Sequence, residues 1–288
     1  MMNVRGSMNG ILTIAHLTLH EVKGRKVALA ALVLGLAFLL VFGIGFYFVY
    51  QDIKASSPNL VPARLRQDVG MSFFVMAGLY AVNFLLVMMA VLMPVDTLAG
   101  DIRSGTIQTL VSKPVARAAI VLGKWLAFWV VLVLYLLLMA GGVLLIVWLI
   151  SGFSVTNIAS GLALMLLEGT LLMTLTILGG TRLSTLANGV VVFGLYGLAF
   201  IGGWLEQLGA VLGNATTQNI GIIASLVVPS ESLWQLAAHL MQPPLIREVA
   251  ITPFSVVSVP SVAHVVWAGL YILAALLLAL RLFNQRDL

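Results

Sequence analysis

Residues 125–150 read WLAFWVVLVLYLLLMAGGVLLIVWLI, an apolar run without a single charged side chain. At about 1.5 Å per residue, a helix of this length spans the roughly 30 Å hydrocarbon core of a bilayer. Trp125, Trp129 and Trp148 lie near its ends, where indole rings favour the membrane interface. This stretch therefore predicts a transmembrane helix.

The rest of the chain has the same character. Hydrophobic residues make up 61% of the 288 residues and charged residues only 9%, against about 25% charged in soluble proteins. Lipid leaves no hydrogen-bond partner for open strand edges, so only helices fit. The sequence predicts an all-α polytopic membrane protein, with residues 1–288 forming a single transmembrane domain. Its six predicted spans are about 27–50, 71–95, 125–150, 158–178, 186–204 and 262–283.

The segment before the first span predicts an amphipathic helix that lies in the membrane interface, over residues 9–26. Its apolar face is formed by Leu12, Ala15, Leu19 and Val22. His16 and His20 fall on the adjoining face at a spacing that a metal could use. A solvated polar face is favoured, because the Glu of an H-E-x-x-H metal site is absent.

Basic residues predict the orientation. If the N-terminus is cytoplasmic, eleven of the fifteen Lys and Arg residues fall on inner segments and four on outer ones. The positive-inside rule then predicts a multi-pass protein of the cell (inner or plasma) membrane with both termini in the cytoplasm. The basic balance is explained by membrane lipid headgroups and needs no nucleic acid.

Two features of the later spans carry functional interest. Glu168 is the only acidic residue well inside an apolar run, which makes it a cavity candidate, although a single interhelical hydrogen bond would also explain it. The fifth span is rich in glycine and alanine, which predicts close helix packing. After that span, two short outer helices are predicted at 219–228 and 230–241, split by Pro229. Ser230 is the predicted N-cap of the second, and the first is apolar enough to re-enter the membrane.

The connection between the second and third spans is the most unusual stretch. Residues 96–117 read DTLAGDIRSGTIQTLVSKPVAR, a charged, glycine-punctuated segment where a simple turn would suffice. It resembles the coupling segment of ABC type-2 exporter permeases. The matching positions are Asp96, Gly100-Asp101, Gly105-Thr106, Leu110, Ser112-Lys113-Pro114-Val115, Arg117 and Leu122-Gly123-Lys124. The likeness extends over the whole chain and looks nearest to the copper-enzyme-maturation (NosY-type) permeases. In those, an outer turn compares with Val228-Pro229-Ser230-Glu231.

The resemblance implies the transmembrane permease subunit of an ATP-driven exporter. It implies a cytoplasmic coupling helix between spans two and three, two copies of a separate ATPase that holds ATP and Mg, a permease homodimer or heterodimer, and a periplasmic or extracellular accessory protein. The implied ATPase-coupling residues are Asp96, Gly100, Asp101, Arg103, Gly105, Thr106, Gln108, Leu110, Val111, Lys113, Pro114 and Arg117. Pro229 and Glu231 are outer-gate candidates.

The chain itself is predicted to hold no cofactor, no metal and no catalytic residue. Its only Gly-Lys pair, Gly123-Lys124, lacks the remaining residues of a phosphate-binding loop, with Ala118 and Trp125 at the deciding positions. The alternative function is a self-contained secondary transporter or channel, or a membrane-anchored structural partner. A secondary transporter usually shows paired half-helices or several charges inside the membrane.

Overall fold

The computed structural model describes residues 4–55, 63–103, 105, 116–244, 247 and 256–286. Over these residues the protein is built of helices, which confirms the predicted fold class. In chain order the helices are α1 (Val4–Gly24), α2 (Lys26–Ala55), α3 (Ala63–Leu92), α4 (Thr97–Arg103), α5 (Arg117–Ser151), α6 (Ile158–Gly180), α7 (Thr185–Leu212), α8 (Ala215–Val227), α9 (Ser230–Met241) and α10 (Val262–Asn284).

Six helical segments in the described part of the chain are long and apolar enough to cross a membrane. They are α2, α3 together with α4, α5, α6, α7 and α10. Helix α6 is the centre of the bundle and packs against α3, α5, α7, α9 and α10. In its most apolar window 72% of the residues are buried, against 6% for α2. Glu168 therefore lies on the innermost helix, whereas α2 presents most of its surface to lipid.

Helix α1 packs along the start of α5. Ile14, Ala15 and Val22 are buried, whereas Leu12 is 56% exposed. The contact is set by Gly123 on α5, where a Cβ would lie 2.7 Å from Cβ of Ile14. Two residues of the predicted apolar face, Ala15 and Val22, are thus buried within the protein and Leu12 faces outward; the position of α1 in the membrane interface stays a prediction.

Helices α8 and α9 form a pair bent by 108° between the last two spans. Helix α8 runs antiparallel along α7, because Gly209 meets Gln218 and Gly202 meets Ala224. A Cβ at Gly221 would lie 2.4 Å from the backbone nitrogen of Glu206, so this helix contact requires glycine. The ten residues from Leu212 back to Gly202 correspond to about 15 Å. Helix α8 therefore re-enters the bundle, and the bend places the start of α9 inside it.

The local start signals of this pair differ from those that the sequence predicts. Helix α8 begins at Ala215, four residues before its predicted start, because the Asn214 side chain accepts a hydrogen bond from the Thr217 backbone N–H at 3.1 Å. Ser230 is the first residue of α9 and does not cap it; Pro229 occupies the cap position without a side-chain bond. Proline fixes its own φ at a helix entry. The Ser230 hydroxyl is buried and has no hydrogen-bond partner among the described residues.

Candidate functional site

Helix α4 is a seven-residue helix placed between the second and third spans, where the coupling helix is predicted. Pro94 follows the end of α3 and, lacking an N–H, favours the turn at 93–96. Gly100 lies over the Asp96 carboxylate, where an added Cβ would approach within 2.8 Å of Oδ2. Gly105, with φ of 73°, adopts the left-handed conformation that ends a helix. The local backbone geometry thus explains why glycine occupies both positions of the motif.

An ion pair between Asp101 on α4 and Lys124 on α5 joins α4 to the start of α5. The Lys124 ammonium contacts the Asp101 carboxylate and also donates to the carbonyl oxygen of Thr97 at 3.2 Å. The Lys124 side chain is 4% exposed and that of Asp101 18%. A lysine ammonium this deeply buried is stable only when it is paired with a negative charge. The Asp101 carboxylate, which the sequence assigns to a partner contact, is thus bonded within the chain.

The other side of α4 packs on the end of α6 and the start of α7. Leu98 is 1% exposed, and its Cβ is 3.5 Å from the Cβ position of Gly180. The Thr185 hydroxyl donates to Asp96 Oδ1 at 2.5 Å. Asn188 Nδ2 donates to the carbonyl oxygen of Thr176 at 2.8 Å and approaches that of Val95 at 3.5 Å. Helix α4, together with Val95 and Asp96 directly before it, is therefore fastened to three different membrane-spanning helices.

Arginine side chains bond exposed carbonyls at the same end of the bundle, which we call the α4 end. Arg25, at the junction of α1 and α2, donates to the carbonyl oxygen of Met93 at 3.2 Å. Arg117 donates to the carbonyl oxygens of Asn284 at 3.1 Å and Arg286 at 2.9 Å. The Arg286 side chain in turn donates to the carbonyl oxygen of Thr181. These bonds tie the junction of α1 and α2 to the end of α3, and they tie the start of α5 and the end of α6 to the end of α10.

Only part of the predicted coupling set falls on described residues. Asp96, Gly100, Asp101, Gly105 and Arg117 lie at the α4 end with the contacts given above. Arg103 is 77% exposed there and lies 3.7 Å from Asp96 Oδ1. The remaining predicted coupling residues, Thr106, Gln108, Leu110, Val111, Lys113 and Pro114, lie outside the described residues.

A second polar site lies inside the bundle around Glu168. Its side chain is fully buried on α6, and neither carboxylate oxygen has a hydrogen-bond partner among the described residues. Asn83 on α3 is the polar side chain that faces it, and Glu231 on α9 is close enough to interact with it electrostatically. The cavity candidate and one outer-gate candidate thus occupy the same region. Pro229, the other gate candidate, caps α9 immediately before it.

Glu231 borders a cavity of about 180 Å³ between α3, α7 and α9. The cavity is lined by Tyr80, Asn83, Phe84, Tyr196, Gly197, Phe200, Glu231 and Trp234. The rings of Tyr80 and Trp234 meet edge to face, with centroids 5.5 Å apart. Gly203 makes room for the acid, because a Cβ there would lie 2.3 Å from Cγ of Glu231. Five of the eight lining residues are aromatic, and one is acidic.

Comparison with known protein families decides what this bundle is. The profile of the family described as ABC-2 family transporter protein matches residues 16–288. The chain belongs to the ABC-2 transporter family. No curated protein matches the chain. The match covers α4, both polar sites and all six candidate spans.

Membership explains the architecture of this ABC-2 permease. Proteins of the family are membrane components of ABC transporters, are not themselves catalytic and generally pair with an ABC ATPase. A membrane location follows from the family and from the six spans. The nearer likeness to copper-enzyme-maturation permeases stays a prediction.

Several residues of the two sites were not singled out by sequence reasoning. Lys124 enters only as a motif position, although a lysine at the start of an apolar run hints at a buried pair. Thr185 and Asn188 begin the fifth span and look like ordinary helix-start residues. The aromatic residues of the inner cavity carry no sequence signal, because tyrosine and tryptophan are common in membrane helices.

Proposed function

We propose that this ABC-2 permease is the membrane half of an ATP-driven exporter and that a separate ATPase docks on its α4 end. The observation that carries the proposal is the fastening of α4 to α5, α6 and α7. A subunit that receives work by contact needs a surface element that cannot move without moving the spans. Helix α4 meets this requirement.

The strength of that fastening comes from contacts of different kinds. The Asp101–Lys124 ion pair holds α4 to α5, the buried Leu98 holds it to α6, and the Thr185–Asp96 hydrogen bond holds the residue just before α4 to α7. A charge-assisted hydrogen bond is roughly twice as strong as a neutral one. Loss of any one contact leaves α4 attached, but a push on α4 is transmitted to all three helices.

The docking surface includes Arg103, whose exposed guanidinium can pair with a carboxylate of the ATPase. The coupling residues at 106–114 belong to the same proposed surface, with Leu110 and Val111 filling a groove of the partner. ATP and Mg bind in that partner. Two ATPase copies and two permease copies, identical or related, form the proposed complex, with an accessory protein on the other side of the membrane.

Charge supports the proposed orientation. Among the described residues, the α4 end carries Lys23, Arg25, Lys26, Arg103, Arg117, Lys124, Arg182, Arg281 and Arg286. The opposite end, near Asn214, carries Lys54 and Arg247. By the positive-inside rule, this distribution favours an orientation in the cell membrane with the α4 end, and both chain termini, on the cytoplasmic side. The resemblance to type-2 exporter permeases favours export.

A charge-reversal pair tests the docking surface. Arg103→Glu reverses an exposed charge at the α4 end, and Lys54→Glu is the matched control at the opposite end. Each variant is expressed in its native host with an affinity tag, and the co-purified ATPase is measured against the amount of permease. We expect Arg103→Glu to reduce the ATPase by at least about tenfold, as an interface anchor does, and Lys54→Glu to retain it. Equal recovery from both variants contradicts the docking site.

The two buried acids favour a secondary transporter as the competing function, because ion-coupled carriers hold intramembrane carboxylates. The same purification separates the two. A permease that purifies without any ATPase and still moves its cargo in vesicles lacking ATP is a secondary transporter.

A further inference from the structure

The cavity between α3, α7 and α9, which we call the aromatic pocket, is small and reaches the surface of the bundle beside Phe84, which is 47% exposed. Its volume of about 180 Å³ corresponds to roughly six waters at about 30 Å³ each. That is below the volume of about 300–1,000 Å³ typical of pockets for drug-sized ligands. The pocket therefore fits a group of five to seven heavy atoms, such as the headgroup of a larger molecule.

The walls of the aromatic pocket select the chemistry of that group. Tyr80, Phe84, Tyr196, Phe200 and Trp234 surround it with aromatic rings. Aromatic faces carry partial negative charge and attract organic cations, most strongly when the cation leaves water. A purely apolar ligand would need neither the rings nor the polar groups between them.

The polar groups of the pocket have acceptor character. Glu231 supplies a carboxylate that is 4% exposed, and the Asn83 side chain is 3% exposed. Asn83 Oδ1 has no hydrogen-bond partner among the described residues, and the carboxylate oxygens of Glu168 behind it have none either. Among the described residues, the lining contains no Lys, Arg or His. An anion would meet the carboxyl group of Glu231 and no counter-charge, whereas a cation would give Glu231, otherwise bonded to the Gln235 side chain, a charged partner.

The fold also explains why an acid is tolerated here. Glu231 lies in the first turn of α9, where the N–H groups of a helix start stabilise negative charge. The re-entrant bend after α8 carries that helix start into the bundle. Gly203 then lets the side chain lie flat against α7.

We propose that the aromatic pocket binds a small organic ammonium cation, with Glu231 as the counter-charge and Tyr80, Tyr196 and Trp234 as the cage. That the cation is cargo rests on the function proposed above, whereas its binding does not. The quaternary or tertiary ammonium group lies among the rings, and Asn83 Oδ1 accepts a hydrogen bond from the ligand where it carries an N–H or O–H.

Two ligands of the same shape test the charge requirement on the unaltered protein. Choline and 3,3-dimethylbutan-1-ol differ by the replacement of the charged nitrogen with carbon. Their binding to the full chain, purified in lipid nanodiscs without an ATPase, is followed by tryptophan fluorescence. We expect saturable binding of choline that is at least about tenfold tighter than that of the alcohol, since a desolvated cation–π contact alone contributes about that factor. Equal binding of the two, or no saturable binding of choline, overturns the proposal.

Matched variants locate the site. Glu231→Gln removes the counter-charge with little change of shape and is expected to weaken choline by at least about tenfold while leaving the alcohol unchanged. The control is Glu206→Gln, a carboxylate equally buried on α7 but bonded to the Ser258 hydroxyl at 2.7 Å and outside the pocket lining. Choline affinity that is unchanged in Glu231→Gln, or equally lost in Glu206→Gln, contradicts the assignment. Because no ATPase is present, failure of this test is separate from failure of the docking test.

Discussion

The ion pair between Asp101 and Lys124 allows the most quantitative prediction. Asp101→Asn removes the carboxylate but keeps the size of the side chain, so the perturbation is almost purely electrostatic. It leaves the Lys124 ammonium 4% exposed, with only neutral acceptors: the carbonyl oxygen of Thr97 and the amide oxygen of the new side chain. A buried ammonium without a counter-charge is poorly compensated, so α4 should detach from α5 or draw water into the contact.

The expected cost follows from the burial of the pair. Removing one partner of a buried ion pair costs about 3–5 kcal/mol. The lower end applies here, because the Thr97 carbonyl remains and Asp101 is 18% exposed. We expect Asp101→Asn to lower the free energy of unfolding by about 3 kcal/mol. Adding Lys124→Met to Asp101→Asn removes both charges and should return the stability to within about 1 kcal/mol of the wild type, as apolar replacements of buried pairs do.

The assay is denaturant unfolding of the purified permease in mixed micelles, applied to the wild type, both single variants and the double variant. The double-mutant cycle isolates the pair interaction from other effects of each change. The reasoning is refuted if Asp101→Asn unfolds within about 1 kcal/mol of the wild type, since a buried uncompensated charge cannot be that cheap. It is equally refuted if the double variant is less stable than Asp101→Asn.

Three further predictions follow from other contacts. Gly123→Ala should destabilise the chain by about 1–3 kcal/mol through overpacking against α1. Gly141→Ala on the same helix should not, because nothing lies within 4 Å of its Cβ position. Thermal unfolding compares the two variants, and equal melting temperatures would contradict the α1–α5 contact. Glu168→Gln should assemble normally because a neutral amide fits the site, with transport reduced while ATP hydrolysis persists; unchanged transport would leave Glu168 a packing role only. In this cysteine-free chain, Thr216→Cys should react in whole cells with a thiol reagent that cannot cross the membrane and Arg182→Cys should not; the reverse pattern would invert the orientation.

The membrane fold could be predicted from the sequence because its cause is local. A run of about 20 apolar residues is sufficient to define a span, whatever surrounds it. The ends of the helices were harder to predict from the sequence. Helix α7 continues to Leu212, eight residues beyond the predicted end at 204. Glu206 and Gln207 read as the start of a loop, but Ser258, some fifty residues later, supplies hydrogen bonds to both. A partner so distant in sequence cannot be inferred from local composition.

The candidate sites were likewise predictable from the sequence only where their cause is local. The position of a coupling helix was predictable from its glycines, since Gly100 and Gly105 have local backbone reasons. The pairing of Asp101 with Lys124 was not, because it depends on how α3 and α5 cross. Glu168 and Glu231 were each noted for a separate reason, one as an acid in a span and the other in an outer turn. Only the re-entrant course of α8 and α9 brings them close enough to interact electrostatically.

The central claim, that the α4 end receives the ATPase, has one direct test. Cysteine is introduced at Arg103, 77% exposed at that end, or at Thr216 near the opposite end, and native membranes are treated with a membrane-permeant thiol-to-amine crosslinker. The crosslinked partner is then identified by mass spectrometry. The proposed function predicts a nucleotide-binding ATPase joined to Arg103→Cys and absent from Thr216→Cys. An ATPase joined at Thr216→Cys and absent from Arg103→Cys would contradict it.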